Sequence, residues 1–350
     1  MDFKKFDTLI LNGKTLKGKE IFEYTDKAKA SNVRAIGAFF QEWLADEPYL
    51  NLHTSGSTGT PKTIKFRKEQ LLESALMTAT FFNFKKNQNV LLCLPVEYIA
   101  AKMMIVRALL AQQNIITIEP GLQALKDFNT KQQIDFVSLI PSQIKDINPD
   151  LKIDKILLGG APVSEILEKQ LQNLPYAIYH SYGMTETLSH IAIRKINGEN
   201  ASTTYQALEG IEIGIDNRDC LWIKVPFIEE EIQTNDVVEL VGNNNFLWKG
   251  RYDNVIISGG LKFFPESIEE KISDILSEVY YITGIPDERL GEKIVLFIES
   301  SKEDAQQQSI LKEQLKQKLS HYEVPKEIIY LQKFARTASG KIIRTKTGKD

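Results

Sequence analysis

The chain has 350 residues, with 43 Lys and Arg against 46 Asp and Glu and a hydrophobic share of 43%, proportions that exclude a disordered or collagen-like protein. A net charge of −3 excludes a basic nucleic-acid-binding domain, and no stretch approaches the roughly 20 apolar residues of a membrane span. Cys93 and Cys220 lie too far apart for a disulfide framework or metal knuckle, and the start has no apolar h-region with a cleavage site, so a cytoplasmic chain of two domains is expected.

In chain order, the first unusual segment is Thr54-Ser-Gly-Ser-Thr-Gly-Thr-Pro-Lys62, which offers five hydroxyls, two glycines and one ammonium. Gly56 and Gly59 let backbone N–H groups turn toward an anion, and the hydroxyls of Thr54, Ser55, Ser57, Thr58 and Thr60 add donors beside Lys62. Such a loop suits phosphates, although by itself it reads equally as a Ser/Thr/Gly-rich surface linker. It is not a Walker A motif, because Thr60 and Pro61 separate Gly59 from Lys62.

Leu71, Leu72, Ala75, Leu76 and Ala79 recur at helical spacing and predict one covered helix face. Val90 to Leu94, Ile115 to Ile118, Phe136 to Leu139 and Ile156 to Leu158 are short apolar runs bounded by polar, Pro or Gly residues, which predicts buried strands. Strands alternating with helices give an α/β class with mostly parallel sheets. From Asp253 the texture changes: Phe264-Pro-Glu-Ser-Ile-Glu opens a helix, Lys293 to Glu299 is a strand, and Ser301 to His321 reads as a second helix that Ala305 to Ser309 either enters or begins. The predicted architecture is a large N-terminal domain, residues 1–252, and a small mobile α+β domain, residues 253–350.

The run from Thr54 to Lys62 resembles the phosphate loop of the adenylate-forming superfamily, which includes acyl-CoA synthetases, peptide-synthetase adenylation domains and luciferases. Further segments follow in that superfamily's order. Gly159-Gly-Ala-Pro162 resembles its adenine-contacting turn, Tyr182-Gly-Met-Thr-Glu186 its Y-G-x-T-E motif, and Asp236 the aspartate of its T-G-D element. Gly250-Arg-Tyr-Asp253 resembles its G-R-x-D hinge, and Arg336-Thr-Ala-Ser-Gly-Lys341 its C-terminal loop. Two departures stand out: only 53 residues precede the phosphate loop, so part of the N-terminal architecture usual in the superfamily is expected to be trimmed, and Asn235 replaces the glycine of T-G-D.

The resemblance implies an ATP-dependent acid-CoA ligase. A carboxylate attacks the α-phosphate of ATP, pyrophosphate leaves, and a thiol then takes the acyl group from AMP. It implies that Thr54 to Lys62 holds the β- and γ-phosphates, that Thr185 meets the α-phosphate, and that Glu186 ligates Mg²⁺. Tyr182, with Gly183 and Met184 beside it, would stack on adenine opposite Gly160, Ala161 and Pro162, while Asp236 and Arg251 would take the ribose. Lys341 would meet the charge growing at phosphorus in the first half-reaction, Asp253 would be the hinge, and Gly259 and Gly260 would admit the pantetheine arm of CoA or form a plain turn.

For the acyl pocket, the polar and basic run Thr187 to Arg194, with Ser189, His190 and Arg194, is joined by Lys102 and Arg107 of a bordering helix. A second carboxylate on the substrate would explain these cations, though Lys102 and Arg107 read equally as helix-surface ion pairs. These features are most similar to o-succinylbenzoate-CoA ligases of menaquinone synthesis, particularly shortened forms. The partners expected are ATP, CoA and a small aromatic acid, with no nucleic acid and with a homodimer left open. Another aryl or acyl acid-CoA ligase, a carrier-protein-charging adenylation domain and a catalytically silent ATP-binding regulator are the competing readings. The second predicts acyl-AMP without transfer to free CoA, and the third predicts nucleotide binding without pyrophosphate exchange.

Overall fold

The apolar runs between residues 89 and 183 become adjacent parallel strands in a computed structural model that describes residues 1–53, 63–301, 305–336 and 342–345. Thr8–Leu11, Asn114–Thr117, Asn89–Leu92, Ile134–Leu139, Ile153–Leu158 and Ala177–Gly183 lie side by side, each parallel to the next. Their near-continuous burial is what a sheet covered on both faces demands. Beyond Ala177–Gly183 the same 13-stranded sheet turns antiparallel through His190–Lys195, Tyr205–Ala207, Asn245–Arg251, Ile232–Val241, Cys220–Lys224 and Glu212–Ile215.

The predicted helix is Lys68–Phe82, with Leu71, Leu72 and Ala75 buried. Leu76, expected on that face, is instead 43% exposed, and Ser74, Thr78 and Phe82 take up the covered stripe. Spacing alone could not distinguish the two, because Ser74 and Thr78 are polar but pack inward, the Thr78 hydroxyl donating to the Ser74 carbonyl at 3.3 Å. In the N-terminal segment Thr8–Leu11 and Lys14–Lys17 pair at the far sheet edge, and helix Ser31–Leu44 buries Val33, Ile36, Phe39, Phe40 and Trp43.

The small domain has its own core. Ile256, Ile268, Ile282, Ile294, Leu296, Ile298, Leu311 and Leu315 cluster on one face of a 5-stranded sheet, while Tyr281, Val295, Phe297 and Phe334 cluster on the other. Phe264-Pro does open a helix, Pro265–Lys271, with proline in the first turn where its missing N–H costs nothing. Ala305–Lys318 is the second helix, so Ala305 to Ser309 forms its first turns, and Gly291–Glu299 is the predicted strand extended by two residues.

Candidate functional site

Open α/β sheets place ligands outside the carboxyl ends of their parallel strands. Here those ends carry Gly159 to Pro162 after Ile153–Leu158 and Tyr182 to Glu186 at the end of Ala177–Gly183. Gly159 must lack a side chain, because a Cβ there would lie 2.8 Å from the Ser181 hydroxyl, which donates to the Leu158 carbonyl at 2.9 Å. Gly160 has φ +78°, and Gly160, Ala161 and Pro162 are exposed. The turn is held by His180, whose Nε2 donates to the Ala161 carbonyl at 3.0 Å while its Nδ1 accepts from the Tyr205 hydroxyl at 2.8 Å. Burial, with Arg194 adding repulsion, pulls the His180 imidazole down to about 3.

Tyr182 and Asp236 are four places apart in the sheet order, which on a flat sheet would be roughly 19 Å at about 4.8 Å per strand. Yet the Tyr182 hydroxyl donates to Asp236 Oδ2 at 2.7 Å, so the antiparallel half must curl over the end of the parallel half. Asp236, 7% exposed, also accepts from Trp248 Nε1 at 3.1 Å and lies 3.6 Å from Arg251 Nη1. Trp248 and Arg251 are three residues apart, and on a regular strand they would face opposite sides. A register shift between Val237 and Val238 turns both toward Asp236. A carboxylate has about four acceptor positions, so Asp236 keeps capacity for further donors such as ribose hydroxyls. Tyr182, with its phenol pushed well above the ordinary range by burial and by Asp236, packs against Phe246 and Tyr205.

The turn after Gly183 is tight. A Cβ on Gly183 would lie 2.3 Å from His190 Cα and 2.3 Å from the Ser189 carbonyl. The Thr187 hydroxyl accepts from the Met184 N–H at 3.1 Å and donates to the Ser189 carbonyl at 2.6 Å, while buried Leu188 is held at φ +64°. A buried leucine in the left-handed region persists only where its surroundings enforce it, a common feature of ligand clamps. Thr185 is half-buried, and Glu186 is exposed with no side-chain partner among the described residues.

The structure divides the cations expected around the acid. Arg107 donates from Nη2 to Ser189 Oγ at 2.6 Å and lies 3.5 Å from His190 Nδ1, while His190 Nε2 is 3.0 Å from the Thr78 hydroxyl. Arg194 does not join them. Its guanidinium pairs with Glu168 and approaches His180 and the Tyr205 ring, beneath the Gly159 to Pro162 turn, because strand His190–Lys195 bulges between His190 and Ala192. Lys102, half-buried on the same helix as Arg107, sits about 140° around from it at about 100° per residue. The alternative of a helix-surface ion pair fails for Arg107, which is buried and pairs with no carboxylate among the described residues.

Asp253 lies in the turn Tyr252–Asn254 that joins the two sheets. It accepts from Arg251 Nη2 at 3.1 Å and from Asn235 Nδ2 at 3.2 Å, so the asparagine that stands in place of the motif glycine reaches the expected hinge residue. Gly259 and Gly260, at φ +59° and +79°, form the two-residue hairpin between Ile256–Ser258 and Leu261–Phe263, the plain-turn geometry left open above. Thr54, Ser55, Gly56, Ser57, Thr58, Gly59 and Lys62, and likewise Lys341, lie outside the described residues.

Trp248, His180, Tyr205, Glu168 and Thr78 escaped the sequence reading. His180 left a faint signal, lying two residues before Tyr182 on the same strand face. Trp248 left none, since only the register shift aims it.

The AMP-binding enzyme family matches residues 7–219, and the AMP-binding enzyme C-terminal domain family matches residues 274–341. The 2-succinylbenzoate–CoA ligase of Lactococcus lactis subsp. lactis is 25% identical over 316 residues, covering 84% of this chain and 69% of its own. An acyl-CoA synthetase (AMP-forming)/AMP-acid ligase II-like protein from Dyadobacter fermentans is 36% identical with a TM-score of 0.61, covering 92% of this chain and 95% of its own. The o-succinylbenzoate CoA synthetase MenE from Bacillus subtilis, solved with the acyl-adenylate intermediate OSB-AMP, shares the fold at a TM-score of 0.77 with 17% identity, covering 96% of this chain and 94% of its own.

Proposed function

The chain belongs to the AMP-binding enzyme family, and on that premise we propose that it is an AMP-forming acid-CoA ligase whose acid is o-succinylbenzoate. The observation that carries the reading is the convergence of Tyr182, Trp248 and Arg251 on one half-satisfied carboxylate, Asp236, beside the exposed turn Gly160 to Pro162. A preoriented, anionic acceptor next to a small-residue platform suits a nucleoside: ribose hydroxyls donate to Asp236, and the base lies along Gly160 to Pro162 with Tyr182 opposite. The 2-succinylbenzoate–CoA ligase relative supports the choice of acid.

In the first half-reaction the acid's carboxylate oxygen attacks the α-phosphorus of ATP and pyrophosphate leaves. Thr185 is assigned to the α-phosphate, Thr54 to Lys62 to the outer phosphates, and Lys341 to the charge that grows in the transition state. Among the described residues no cluster of three or more His, Cys, Asp or Glu could hold a metal by itself. Glu186, exposed and without a side-chain partner among the described residues, offers the single carboxylate that Mg²⁺ usually takes from a protein beside substrate phosphates. Bound there, Mg²⁺ would neutralise the leaving pyrophosphate. In the second half-reaction a thiol attacks the acyl carbonyl and AMP leaves. Asp253 is the hinge that admits CoA past Gly259 and Gly260, with the domains divided at residues 252 and 253.

Acid-dependent pyrophosphate exchange, followed by CoA-dependent AMP release over a panel of aromatic and aliphatic acids, tests the proposal. Exchange and thioester formation with o-succinylbenzoate are expected. Exchange without transfer to free CoA would make the chain a carrier-charging domain, and nucleotide binding without exchange would make it a regulator.

A further inference from the structure

The turn Tyr252–Asn254, assigned as the hinge, is gripped from the large domain by Asn235 and Arg218, which no assigned role uses. Asn235, on strand Ile232–Val241, donates from Nδ2 to both oxygens of Asp253, at 3.2 and 3.3 Å. Its Oδ1 accepts from Arg218 Nη1 at 3.1 Å. The amide therefore has one orientation, because flipping it would set oxygen against carboxylate and nitrogen against guanidinium. Arg218 is itself fixed. Its Nε donates to Asp216 Oδ2 at 2.8 Å, its Nη2 reaches the Thr234 carbonyl at 3.4 Å, and its guanidinium lies 5.1 Å from the centre of the Tyr252 ring. Asp216 in turn accepts from the Arg218 and Cys220 N–H groups at 2.8 and 2.9 Å, which ties the turn that carries Arg218. Two neighbouring hinge residues, Tyr252 and Asp253, are thus held by one preorganised pair.

The backbone does not explain an asparagine at this position. Asn235 lies outside the left-handed region, so neither the freedom of glycine nor the tolerance of asparagine is needed there. Nor does strand pairing explain it: the ladder with Asn245–Arg251 ends at Asp236 opposite Arg251, so the Asn235–Asp253 contact lies beyond it and adds no rung to the sheet. The orientation held in this way also has a direction. Beside the Gly259–Gly260 hairpin assigned to the CoA arm, Ile257 and Leu261 are 54% and 47% exposed, and among the described residues nothing lies within 4 Å of a Cβ on Gly260. That hairpin is uncovered, whereas CoA transfer requires it at the site.

We propose that Asn235 is a positioning residue: acting through Asp253, and braced by Arg218, it holds the small domain in the orientation that serves acyl-adenylate formation. This rests on the acid-CoA ligase reading, in which Asp253 is the hinge, and adds to it the contact that sets the hinge's resting state. Asp253 also accepts from Arg251 Nη2 at 3.1 Å, so release of Asn235 leaves it a donor, and the latch opens without stranding the carboxylate.

The test measures acyl-adenylate formation and thioester formation from supplied o-succinylbenzoyl-AMP on the full-length protein. Energy transfer between fluorophores on Lys29→Cys in the large domain and Glu288→Cys in the small one reads the domain orientation. Both positions are exposed, and the native Cys93 and Cys220 are buried. Asn235→Gly should slow the first half-reaction roughly three- to tenfold, leave the second unchanged or faster, and shift the transfer efficiency. Asn235→Asp, which sets two carboxylates together, should do the same more strongly. Combining it with Asp253→Asn exchanges donor and acceptor and should restore both rates to within about twofold. Slowing of both half-reactions by the same factor with unchanged transfer would make Asn235 a purely structural residue, and selective loss of the second half-reaction would assign the opposite orientation. Either result overturns the proposal. Should Asn235→Gly fail to fold, Asn235→Ser, too short to reach Asp253, takes its place under the same criteria. If no acid is activated, the ligase reading fails, and the latch is judged by energy transfer alone: a shift in Asn235→Gly that the exchanged pair reverses upholds it, and no shift overturns it.

Discussion

His180 illustrates how a single side chain can set the geometry of a binding turn. Its Nε2–H holds the Ala161 carbonyl and its Nδ1 takes the Tyr205 proton, so the neutral ring is the only form that satisfies both. In the unfolded chain the imidazole titrates near 6.5, whereas the fold lowers it to about 3. Between those values the unfolded state binds the extra proton, so the contribution to stability is fully present above pH 6.5 and is lost as pH falls toward 3. At about 1.4 kcal/mol per unit the ceiling is about 5 kcal/mol. Urea unfolding from pH 7 to pH 4 should show this slope, and His180→Gln, which can still reach Ala161, should be less stable at pH 7 but flatter with pH. An unchanged slope would assign the acid sensitivity to other groups. Asp236 works by the same economy: Trp248, Tyr182 and Arg251 orient it, and each leaves acceptor capacity for an incoming donor.

At the scale of elements, two glycines show two different requirements. Gly183 ends the strand Ala177–Gly183 where the chain folds back, and the space for a side chain is filled by backbone of Ser189 and His190, which cannot rotate away. Gly260 has open space but a φ of +79°. Gly183→Ala should therefore force the two strands apart and cost about 3 kcal/mol or more, with loss of acyl-adenylate formation, because the displaced turn carries Thr185 and Glu186. Gly260→Ala should cost only about 1 kcal/mol, the ordinary strain of a left-handed alanine. Thermal unfolding of both variants makes the comparison, and similar losses would show that the Gly183 turn relaxes. The two register shifts play a matching role on the antiparallel side, one turning Trp248 toward Asp236 and the other separating His190 from Arg194.

On the scale of the whole molecule, the small domain meets the large one across a narrow seam. A Cβ on Gly250 of the large domain would lie 2.7 Å from Glu266 Oε2 and 3.4 Å from Phe264 Cβ of the small one. The C-terminal segment is tethered at both ends of the expected catalytic loop: Arg336 pairs with Glu299 at 2.5 Å and bridges to Ile342, while Arg344 takes both oxygens of Glu269 at 2.5 and 2.8 Å. Lys341→Ala should abolish acyl-adenylate formation while sparing thioester formation from supplied acyl-AMP, measured as two separate half-reactions. Equal loss of both would remove Lys341 from its assigned role.

Composition and periodicity by themselves determined the α/β class, the four parallel strands near the middle of the chain and the change of texture at Asp253, because short buried runs and helix-opening prolines act locally. The order of short motifs determined the family, since hydroxyl-rich and glycine-rich turns are written in contiguous residues. What only the tertiary structure decided is which side chains meet: Trp248 reaches Asp236 through a register shift, and Tyr182 reaches the same carboxylate because the sheet curls. The same holds for the cations, which the sequence offers as one basic cluster and the fold separates into Arg194, paired with Glu168, and Arg107, which meets no carboxylate among the described residues. Charge in a sequence is a count, whereas the cost of a charge depends on burial and on the partner within reach, and both are properties of packed structure.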